Sequence, residues 1–428
     1  MRIAFFVYEF PPTIVGGLGT YASYITRALV RQGHDVLVFT MNRGGALTTR
    51  EVVGGVEVHR PVGIDATNVF PLMVSEELRQ WGSFFNDVFV YNVLAASKFI
   101  NQLLEQEQSH FDIAAIHDWP SAIAGLVIHN ETDLPVVYHV HSTEWGRRGD
   151  AGSPFVSRLE REMGFQSHRV VTVSHAMKDD LNRHGWSPQR ISVVWNGVEP
   201  EVYDPTRVPK QEIQQLRATY GLAHDDMMLL FVGRLTWVKG MRNLIQAMPA
   251  VLEKFPKTRL VILGKGEEQH DVDDLVHRLE LAGHVITRYA FVSEWERIVH
   301  YAAAELCVFP SIYEPFGIVS LEAMSMARPV VVGANGVVGF REQVIPSGPD
   351  QNGVHVNGND PADIAWGIQS LLEDRERAHE MGARGRTRVQ RYFTWDQVAK
   401  QTVEVYEQVL AEAAGKGQGG EGEGRSIS

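Results

Sequence analysis

The sequence predicts two α/β domains, each built around a doubly wound parallel β-sheet. Short apolar runs alternate with amphipathic stretches from the first residue onward, which is typical of parallel strands that are joined by helices. The same alternation starts afresh at Met228. A length of 428 residues also suits two domains of roughly 200 residues each. We therefore expect a first domain over 1–200, a hinge over 201–210 and a second domain over 211–393.

The first domain opens with a predicted strand over 2–8. A helical pattern follows over 18–32 and stops at Gly33, and the next strand is predicted over 35–40. Apolar runs predict further buried strands at 113–116, 136–140, 170–173 and 191–194. Together these elements indicate a Rossmann-like sheet.

The second domain follows a segment with turn chemistry. Residues 196–205 combine Asn, Gly and Pro, and the polar stretch after them contains Pro209, which is why we place the hinge there. Strands of the second sheet are predicted at 228–232, 260–263, 285–289, 306–309 and 329–332. These strands indicate a second Rossmann-like domain.

The C-terminal segment divides in two. Apolar residues at helical spacing predict a last amphipathic helix over 394–412. The tail over 413–428 is dominated by Gly, polar and charged residues, and we expect it to be disordered. An aromatic-rich stretch at 69–100 lacks the basic face of a membrane-binding helix, so core helices or helices beside an acceptor are expected there.

Composition excludes several classes of protein. The formal net charge of −12 argues against nucleic-acid binding, because phosphate contacts need a basic face. The single cysteine, Cys307, lies in an apolar run and is typical of a buried small side chain rather than a nucleophile. The N-terminus lacks a signal-peptide core, and no run reaches the roughly eighteen apolar residues of a transmembrane segment. We expect a cytoplasmic protein, and the oligomeric state is open.

The glycine pair Gly16 and Gly17 precedes the first predicted helix. Free backbone amides and the helix dipole at such a position can bind a phosphate. A dinucleotide fingerprint would need its glycines directly after the strand and an acid about twenty residues later, and neither condition is met. The alternative is a structural role, because βα turns often need glycine for a positive φ.

Arg234 and Lys239 follow the first strand of the second domain. Two cations at the carboxyl edge of a parallel sheet can clamp a diphosphate. The alternative for this segment is an ordinary solvated loop.

Residues 310–324 carry two acids around the start of a helix. With a helix that begins near Phe316, the amides of 316–319 are unpaired and can serve sugar hydroxyls or phosphate oxygens. Glu314 can accept hydrogen bonds from a hexose, and Glu322 can reach a ribose diol. For Glu322 the alternative is an exposed helical side chain, although its neighbours are largely apolar.

Three histidines follow strands of the first domain. His139 and His141 share one face of a strand and could ligate a metal. A zinc site needs a third and a fourth ligand, which the sequence does not identify, so we predict no metal site. We expect His141 to hydrogen-bond a sugar hydroxyl and His139 to be a core side chain. His117 precedes Asp118 at the end of another strand.

These segments, taken in order over residues 1 to about 410, resemble the retaining glycosyltransferases of family 4, which have the GT-B fold. The similarity rests on four short segments. They are the Gly16-Gly17-Leu18 loop, the Asn196-Gly-Val198 turn, Arg234 with Lys239, and Glu314 followed by Glu322 in the family's E-x7-E spacing. The resemblance implies that two Rossmann-like domains face a central cleft.

The resemblance also implies roles for individual residues. Glu314, His141, Arg234 and Lys239 would be catalytic. The donor would be bound by Gly16, Gly17, Arg234, Lys239, Phe316, Gly317, Ile318, Val319 and Glu322, and the acceptor side would include Asp118 and Leu18. Neither a metal nor a cofactor is implied, because the co-substrate is a nucleotide diphosphate sugar, with an ADP- or UDP-linked hexose favoured.

Enzymes similar to this chain retain anomeric configuration by same-face attack, with the leaving phosphate taking the acceptor's proton. A likeness to bacterial and archaeal glycogen synthases implies transfer of glucose to an α-glucan, but Ile14 stands where those enzymes have Lys, and Ala327 replaces a common glycine. A small sugar, a sugar phosphate or a lipid-linked sugar is the alternative acceptor. A sugar-nucleotide epimerase or hydrolase, or a catalytically silent binding protein, is the alternative class.

Overall fold

The computed structural model describes residues 1–14, 16–63 and 83–418, and the chain divides into two compact units. The first unit comprises Met1–Val173, Lys178–Val194 and the chain from Trp395 onward. The second comprises Ser174–Met177 and Trp195–Thr394. The chain therefore passes between the units more than once, rather than through a single linker.

The first unit contains an eight-stranded sheet. Its strands are β1 (Arg2–Phe6), β2 (Asp35–Phe39), β3 (Arg50–Val53), β4 (Val56–His59), β5 (Ile113–His117), β6 (Val136–Val140), β7 (Arg169–Thr172) and β8 (Ile191–Val193). The strand order is β3-β4-β2-β1-β5-β6-β7-β8, and every pair is parallel except β3 with β4. The central strands β5 and β6 are buried along their whole length, which is why they read as continuous apolar runs.

Helices up to residue 183 connect these strands. They are α1 (Gly17–Arg31), α2 (Ser83–Ser97) with a π-helical continuation (Lys98–Gln106), α3 (Ala122–Glu131), α4 (Glu144–Arg148), α5 (Pro154–Gln166) and α6 (His175–Arg183). Helix α1 forms because its apolar side chains recur at helical spacing, and it buries Tyr21, Ile25 and Leu29. Part of the aromatic-rich stretch, residues 69–82, lies outside the described residues. None of the helices that the structure describes is long and apolar enough to cross a membrane.

The second unit contains a six-stranded sheet in which every pair is parallel. Its strands are β9 (Met227–Val232), β10 (Thr258–Leu263), β11 (Val285–Arg288), β12 (Leu306–Phe309), β13 (Val330–Gly333) and β14 (Gly353–Val356), in the order β11-β10-β9-β12-β13-β14. Its helices are α7 (Lys210–Thr219), α8 (Met241–Lys254), α9 (Gln269–Arg278), α10 (Glu294–Ala303), α11 (Ile318–Ser325), α12 (Phe340–Gln343), α13 (Pro361–Glu373) and α14 (Arg375–Tyr392). Cys307 is buried in β12, and burial raises the pKa of its thiol, as expected of a core side chain.

Each sheet has one place at which its strand order reverses. In the first sheet this place lies between β1 and β5, and in the second it lies between β9 and β12. In open parallel sheets, ligands bind beyond the carboxyl ends of the strands at such a reversal. The loops that follow β1, β5, β9 and β12 are therefore where a site is expected.

The last helix, α15 (Trp395–Gln418), belongs to the first unit and packs against α1. The Arg31 guanidinium donates to Asp396 Oδ1 at 2.6 and 3.0 Å, and the ring of Trp395 contacts the rings of Tyr21 and Tyr24. The helix continues past its predicted end at residue 412, because alanine follows there and favours helix. The rest of the tail that was predicted to be disordered, residues 419–428, lies outside the described residues.

Residues 201–210, where the hinge is predicted, belong to the second unit. Tyr203 is buried, Asp204 Oδ1 accepts the Thr206 amide at 2.9 Å, and Asp204 also pairs with Arg386 at 3.0 Å. The division between the units falls earlier, between Val194 and Trp195.

Candidate functional site

The loops after β9 and β12 are joined to each other. The amides of Ile312 and Tyr313 donate to the Val238 carbonyl at 2.8 and 3.3 Å. Gly240 has φ +68°, and a Cβ at this position would lie 2.1 Å from the Pro310 carbonyl oxygen, so only glycine lets the two loops approach this closely. The basic loop 234–239 and the acidic segment 314–322 therefore lie together in the second unit.

Lys239 and Glu314 meet at this junction. Lys239 Nζ forms an ion pair with Glu314 Oε2, and Ser311 Oγ donates to the same oxygen at 3.3 Å. The Glu314 backbone is also fixed, because its amide donates to Val337 O at 2.9 Å and its carbonyl accepts from the Gly339 amide at 2.8 Å. The carboxylate is almost completely buried, and its orientation is set by the contacts on both sides.

The short helix α11 begins directly after this acid. Its N-cap, Gly317, has φ +89°, and a Cβ there would lie 2.1 Å from the Phe340 ring, so glycine is required. Ile318 and Val319 are the first helical residues, and their amides have no intrahelical acceptor. Ser320 Oγ is buried and lacks a hydrogen-bond partner within the described part of the chain. The start of α11 thus presents unpaired polar groups beside Glu314.

Phe316 and Arg234 occupy contrasting positions. The Phe316 side chain is buried and its ring lies 6.2 Å from that of Phe393, so any ligand contact at this residue must come from its backbone. Arg234 is exposed and forms no ion pair with any residue that the structure describes. Of the two cations predicted here, Lys239 is already paired and Arg234 is free to meet an anion.

Glu322 is enclosed rather than exposed. Its Oε1 accepts from Tyr203 Oη at 2.8 Å and from Arg297 Nη2 at 3.1 Å, and its Oε2 accepts from Tyr301 Oη at 2.8 Å. Burial lowers the pKa of Arg297, but the charge of Glu322 together with Tyr203 and Tyr301 outweighs burial and raises that pKa. The exposed-helix alternative for Glu322 is therefore wrong, and this carboxylate is held in one position.

The glycine loop of the first unit uses one of its amides internally. The Gly16 amide donates to Glu9 Oε2 at 3.0 Å. The amide of Gly17, the first residue of α1, has no acceptor within the helix. A Cβ on Gly19 would lie 3.1 Å from the same Glu9 oxygen and 3.0 Å from Ile14. Leu18 is half-buried between these positions. An anion at this loop would meet Gly17 rather than Gly16.

Asp118 follows β5 in a strained conformation. Its φ of +55° and ψ of 173° fall in a region that glycine occupies almost alone. Its Oδ1 accepts the amides of His141 and Ser142 at 2.7 and 3.4 Å, and burial raises the pKa of the carboxyl to about 6. Strain of this kind persists where the surroundings hold the residue firmly, as they do at binding sites.

His117, His139 and His141 form a stack of imidazole rings in the first unit. The ring centroids of His117 lie 4.3 Å from those of His139 and 5.5 Å from those of His141, each at an angle of 27°. His117 Nδ1 lies 3.2 Å from His141 Nε2, and His139 Nε2 lies 2.8 Å from Tyr406 Oη. Burial lowers the pKa of all three imidazoles, that of His141 to about 3, so they are neutral at pH 7.

These three histidines are close enough to suggest a metal site. Their candidate ligand atoms lie within 4.8 Å of one another. His117 Nδ1 and His141 Nε2, however, are already hydrogen-bonded to each other, and His139 Nε2 is hydrogen-bonded to Tyr406 Oη, so nitrogens that a metal ion would need are engaged. The geometry therefore favours a hydrogen-bonded stack over metal coordination.

Several residues of these sites carry no signal in the sequence. Tyr203, Arg297 and Tyr301 come from separate elements, and only the fold brings their polar ends to Glu322. Glu9 could have been suspected, because an acid just before a glycine-rich loop can accept its amides. Tyr406 reads as an ordinary apolar position of α15.

Two family models match the chain. The model described as Glycosyltransferase Family 4 matches residues 15–202, and the model described as Glycosyl transferases group 1 matches residues 212–388. An uncharacterized glycosyltransferase of Methanocaldococcus jannaschii is 32% identical over 412 residues, which cover 95% of this chain and 98% of that protein. Glycogen synthase of Mycobacterium tuberculosis is 30% identical over 425 residues, covering 95% of this chain and 94% of that protein.

The fold is also shared with solved structures. Sucrose-phosphate synthase from Thermosynechococcus elongatus matches with a TM-score of 0.79, covering 96% of this chain and 99% of that chain. Because the two sequences are only 24% identical, this similarity supports the fold alone, an architecture of two parallel-sheet α/β units.

Proposed function

Because this chain belongs to glycosyltransferase family 4 and has the GT-B fold, we propose that it is a retaining hexosyltransferase that uses a nucleotide diphosphate sugar. The observation that carries the proposal is the meeting of Lys239 with Glu314 beside the free amides of α11. A cation and helix N–H groups at this position can bind a diphosphate. The carboxylate beside them can accept hydrogen bonds from sugar hydroxyls.

The donor is assigned to the second unit. Arg234, which is exposed and without an ion-pair partner among the described residues, and Lys239 bind the diphosphate together with the amides of Ile318 and Val319. Glu314 accepts hydrogen bonds from the hexose. Oε2 of Glu322 has one described partner, which leaves it capacity to accept a ribose hydroxyl.

Transfer breaks the bond between the anomeric carbon and the phosphate oxygen and forms a bond from that carbon to the acceptor oxygen. Negative charge grows on the leaving diphosphate, where preorganised cations and amides stabilise it. The acceptor's proton passes to a leaving phosphate oxygen on the same face of the sugar, which retains the configuration. Oε2 of Glu314 is already engaged by Lys239 and Ser311, which suits a binding role better than that of a covalent nucleophile.

The acceptor is a carbohydrate hydroxyl, and an α-glucan is the first candidate because the glycogen synthase relative covers nearly the whole chain. A specific observation favours a second candidate, a small sugar or sugar phosphate. Ile14 is partly exposed at a position where glycogen synthases carry Lys, so the first unit lacks that cation.

The proposal is tested by measuring nucleoside diphosphate release from ADP-, UDP- and GDP-glucose, each with glycogen, with free hexoses and with hexose phosphates. We expect release only when one donor and one acceptor are both present, and an α-linkage in the product by proton NMR. Equal release without any acceptor would identify a hydrolase or epimerase instead. Donor binding without release for every pair would identify a silent binding protein.

A further inference from the structure

The imidazole stack of the first unit contains one hydrogen bond between two rings, and its direction has a chemical consequence. His117 Nδ1 and His141 Nε2 lie 3.2 Å apart. Both rings are neutral, so each carries one proton, and one of the two nitrogens must donate while the other accepts. The proton can therefore sit on His117 Nδ1 or on His141 Nε2.

The surroundings of His117 distinguish the two arrangements. His117 is completely buried, and the centroid of its ring lies 3.9 Å from that of Phe5 and 4.3 Å from that of His139. Its Nε2 has no hydrogen-bond partner among the residues that the structure describes. If His141 Nε2 donated, His117 would have to carry its proton on Nε2 as an unpaired buried N–H group. Unpaired buried N–H groups are rarer than unpaired acceptors, and each costs about 1–3 kcal/mol. The favoured arrangement has the proton on His117 Nδ1.

We propose that His117 is a positioning residue that fixes His141 as the tautomer protonated on Nδ1, so that His141 offers its ligand an N–H donor. The Nδ1 atom of His141 makes no hydrogen bond to any residue within the described part of the chain, and the residue is half-buried. Asp118 holds the His141 backbone through its amide, and the Tyr21 ring packs on the His141 ring at 4.3 Å. Both the position of the His141 ring and the nitrogen that carries its proton are therefore fixed.

This inference rests on the proposed function for the identity of the ligand. A donor at Nδ1 must meet an oxygen lone pair, such as that of a sugar hydroxyl. With Nε2 accepting from His117 and Nδ1 protonated, His141 has no lone pair to offer the acceptor and does not act as a general base. This agrees with transfer in which a phosphate oxygen takes the proton.

The direct test is the tautomer itself. Long-range proton–nitrogen correlation spectra of the full chain with 15N-labelled histidine distinguish the protonated from the bare ring nitrogen, and His141→Asn identifies the His141 signals. We expect wild-type His141 to be protonated on Nδ1 and His117→Phe to shift it toward the Nε2 form. A wild-type His141 protonated on Nε2 would overturn the inference, whatever the enzyme transfers.

Kinetics with two variants separate positioning from packing. His117→Phe keeps an aromatic ring but has no donor, whereas His117→Asn places an amide N–H near the position of Nδ1. We expect kcat to fall about tenfold in His117→Phe and to stay within about threefold of wild type in His117→Asn, because only the first loses the oriented donor. The matched control is His110→Phe, whose side chain is 84% exposed.

An equal loss of kcat in both His117 variants would mean that His117 only packs against its neighbours and does not orient His141. If the spectra show the expected tautomer but no donor and acceptor pair reacts, the proposed function fails and the tautomer assignment stands. The two proposals can therefore fail separately.

Discussion

The two acids of the second unit are held in different ways. Glu314 shares one oxygen between a flexible Lys239 and the Ser311 hydroxyl, whereas Glu322 is enclosed by two tyrosines and Arg297. A lysine ammonium on a long stem can move toward an incoming anion while keeping one hydrogen bond. A carboxylate paired with a planar guanidinium and two hydroxyls keeps a fixed position. These arrangements lead to different predictions for the two sites.

Replacing Lys239 by Ala is expected to lower kcat by about 10²–10³-fold, because a preorganised charge that stabilises the leaving diphosphate is lost. The measurement is steady-state release of nucleoside diphosphate. Lys257→Ala, which removes an exposed lysine paired with Asp225, is the control and should keep normal turnover. Near-normal kcat in Lys239→Ala would remove this residue from the site.

Replacing Arg297 by Leu is expected to destabilise the protein by about 3 kcal/mol, because the buried Glu322 carboxylate would lose its cation. The change is measured as the shift of a urea unfolding curve. Arg375→Leu removes an exposed pair with Glu305 and should cost no more than about 1 kcal/mol. Equal shifts in the two variants would mean that the Arg297 pair contributes no more than a surface contact.

At the level of elements, the end of helix α11 accounts for a departure from the family pattern. Ala327 has φ +55°, its amide donates to Met324 O, and the Arg328 amide donates to Ala323 O, both at 2.9 Å. These are the two hydrogen bonds of a Schellman motif, in which the residue with positive φ is usually glycine. The glycine common in similar enzymes thus reflects backbone geometry, and Ala327 adopts the same geometry under strain.

Ala327→Gly is expected to stabilise the protein by about 0.5–1 kcal/mol. Relief of the left-handed strain stabilises the folded state by more than the extra freedom of glycine stabilises the unfolded chain. Ala250→Gly, at an exposed position within helix α8, is the matched control and should destabilise by about 1 kcal/mol. Unfolding in urea measures both. A loss of stability in Ala327→Gly would contradict the strain that its φ indicates.

At the level of the whole molecule, the first unit buries acids that resist ionisation. Glu160 is 1% exposed and accepts the Glu144 amide at 3.0 and 3.1 Å. Burial raises the pKa of Glu160 from 4.5 to about 8, although Arg147 at 3.6 Å opposes the rise. A carboxyl with a raised folded pKa stabilises the fold below its unfolded pKa and loses that contribution as pH rises through the folded value. This loss falls between pH 4.5 and about 8.

Glu160→Gln should therefore match the wild type in Tm at pH 5 and exceed it at pH 9, because Gln keeps an acceptor and never ionises. Differential scanning fluorimetry at both pH values measures the difference. Glu162→Gln, an exposed position on the same helix, should track the wild type at both. A Glu160→Gln curve parallel to the wild type would mean that Glu160 is ionised in the folded protein.

The sequence predicted the strands that are continuous apolar runs, such as β6 and β12, since burial on both faces leaves a clear pattern. It missed β3 and β4, in which charged residues interrupt the apolar run, although the Gly54-Gly55 pair between them is a hairpin signal. It also missed β14, the short strand at the edge of the second sheet. It placed Lys239 and Glu314 correctly in loops that meet. It could not place Arg297, because side chains that converge from separate elements leave no local pattern.

Because the chain returns to the first unit at Trp395, the second unit is synthesised in full before the first unit is. Domains generally fold as units while the ribosome elongates the chain. All of the second unit has been translated by Thr394, whereas the first unit still lacks α15 at that point. Until α15 emerges, the rings of Tyr21 and Tyr24 lack Trp395, and His139 lacks the Tyr406 hydroxyl. A stop codon after Thr394 would therefore yield a complete second unit attached to an unfinished first one.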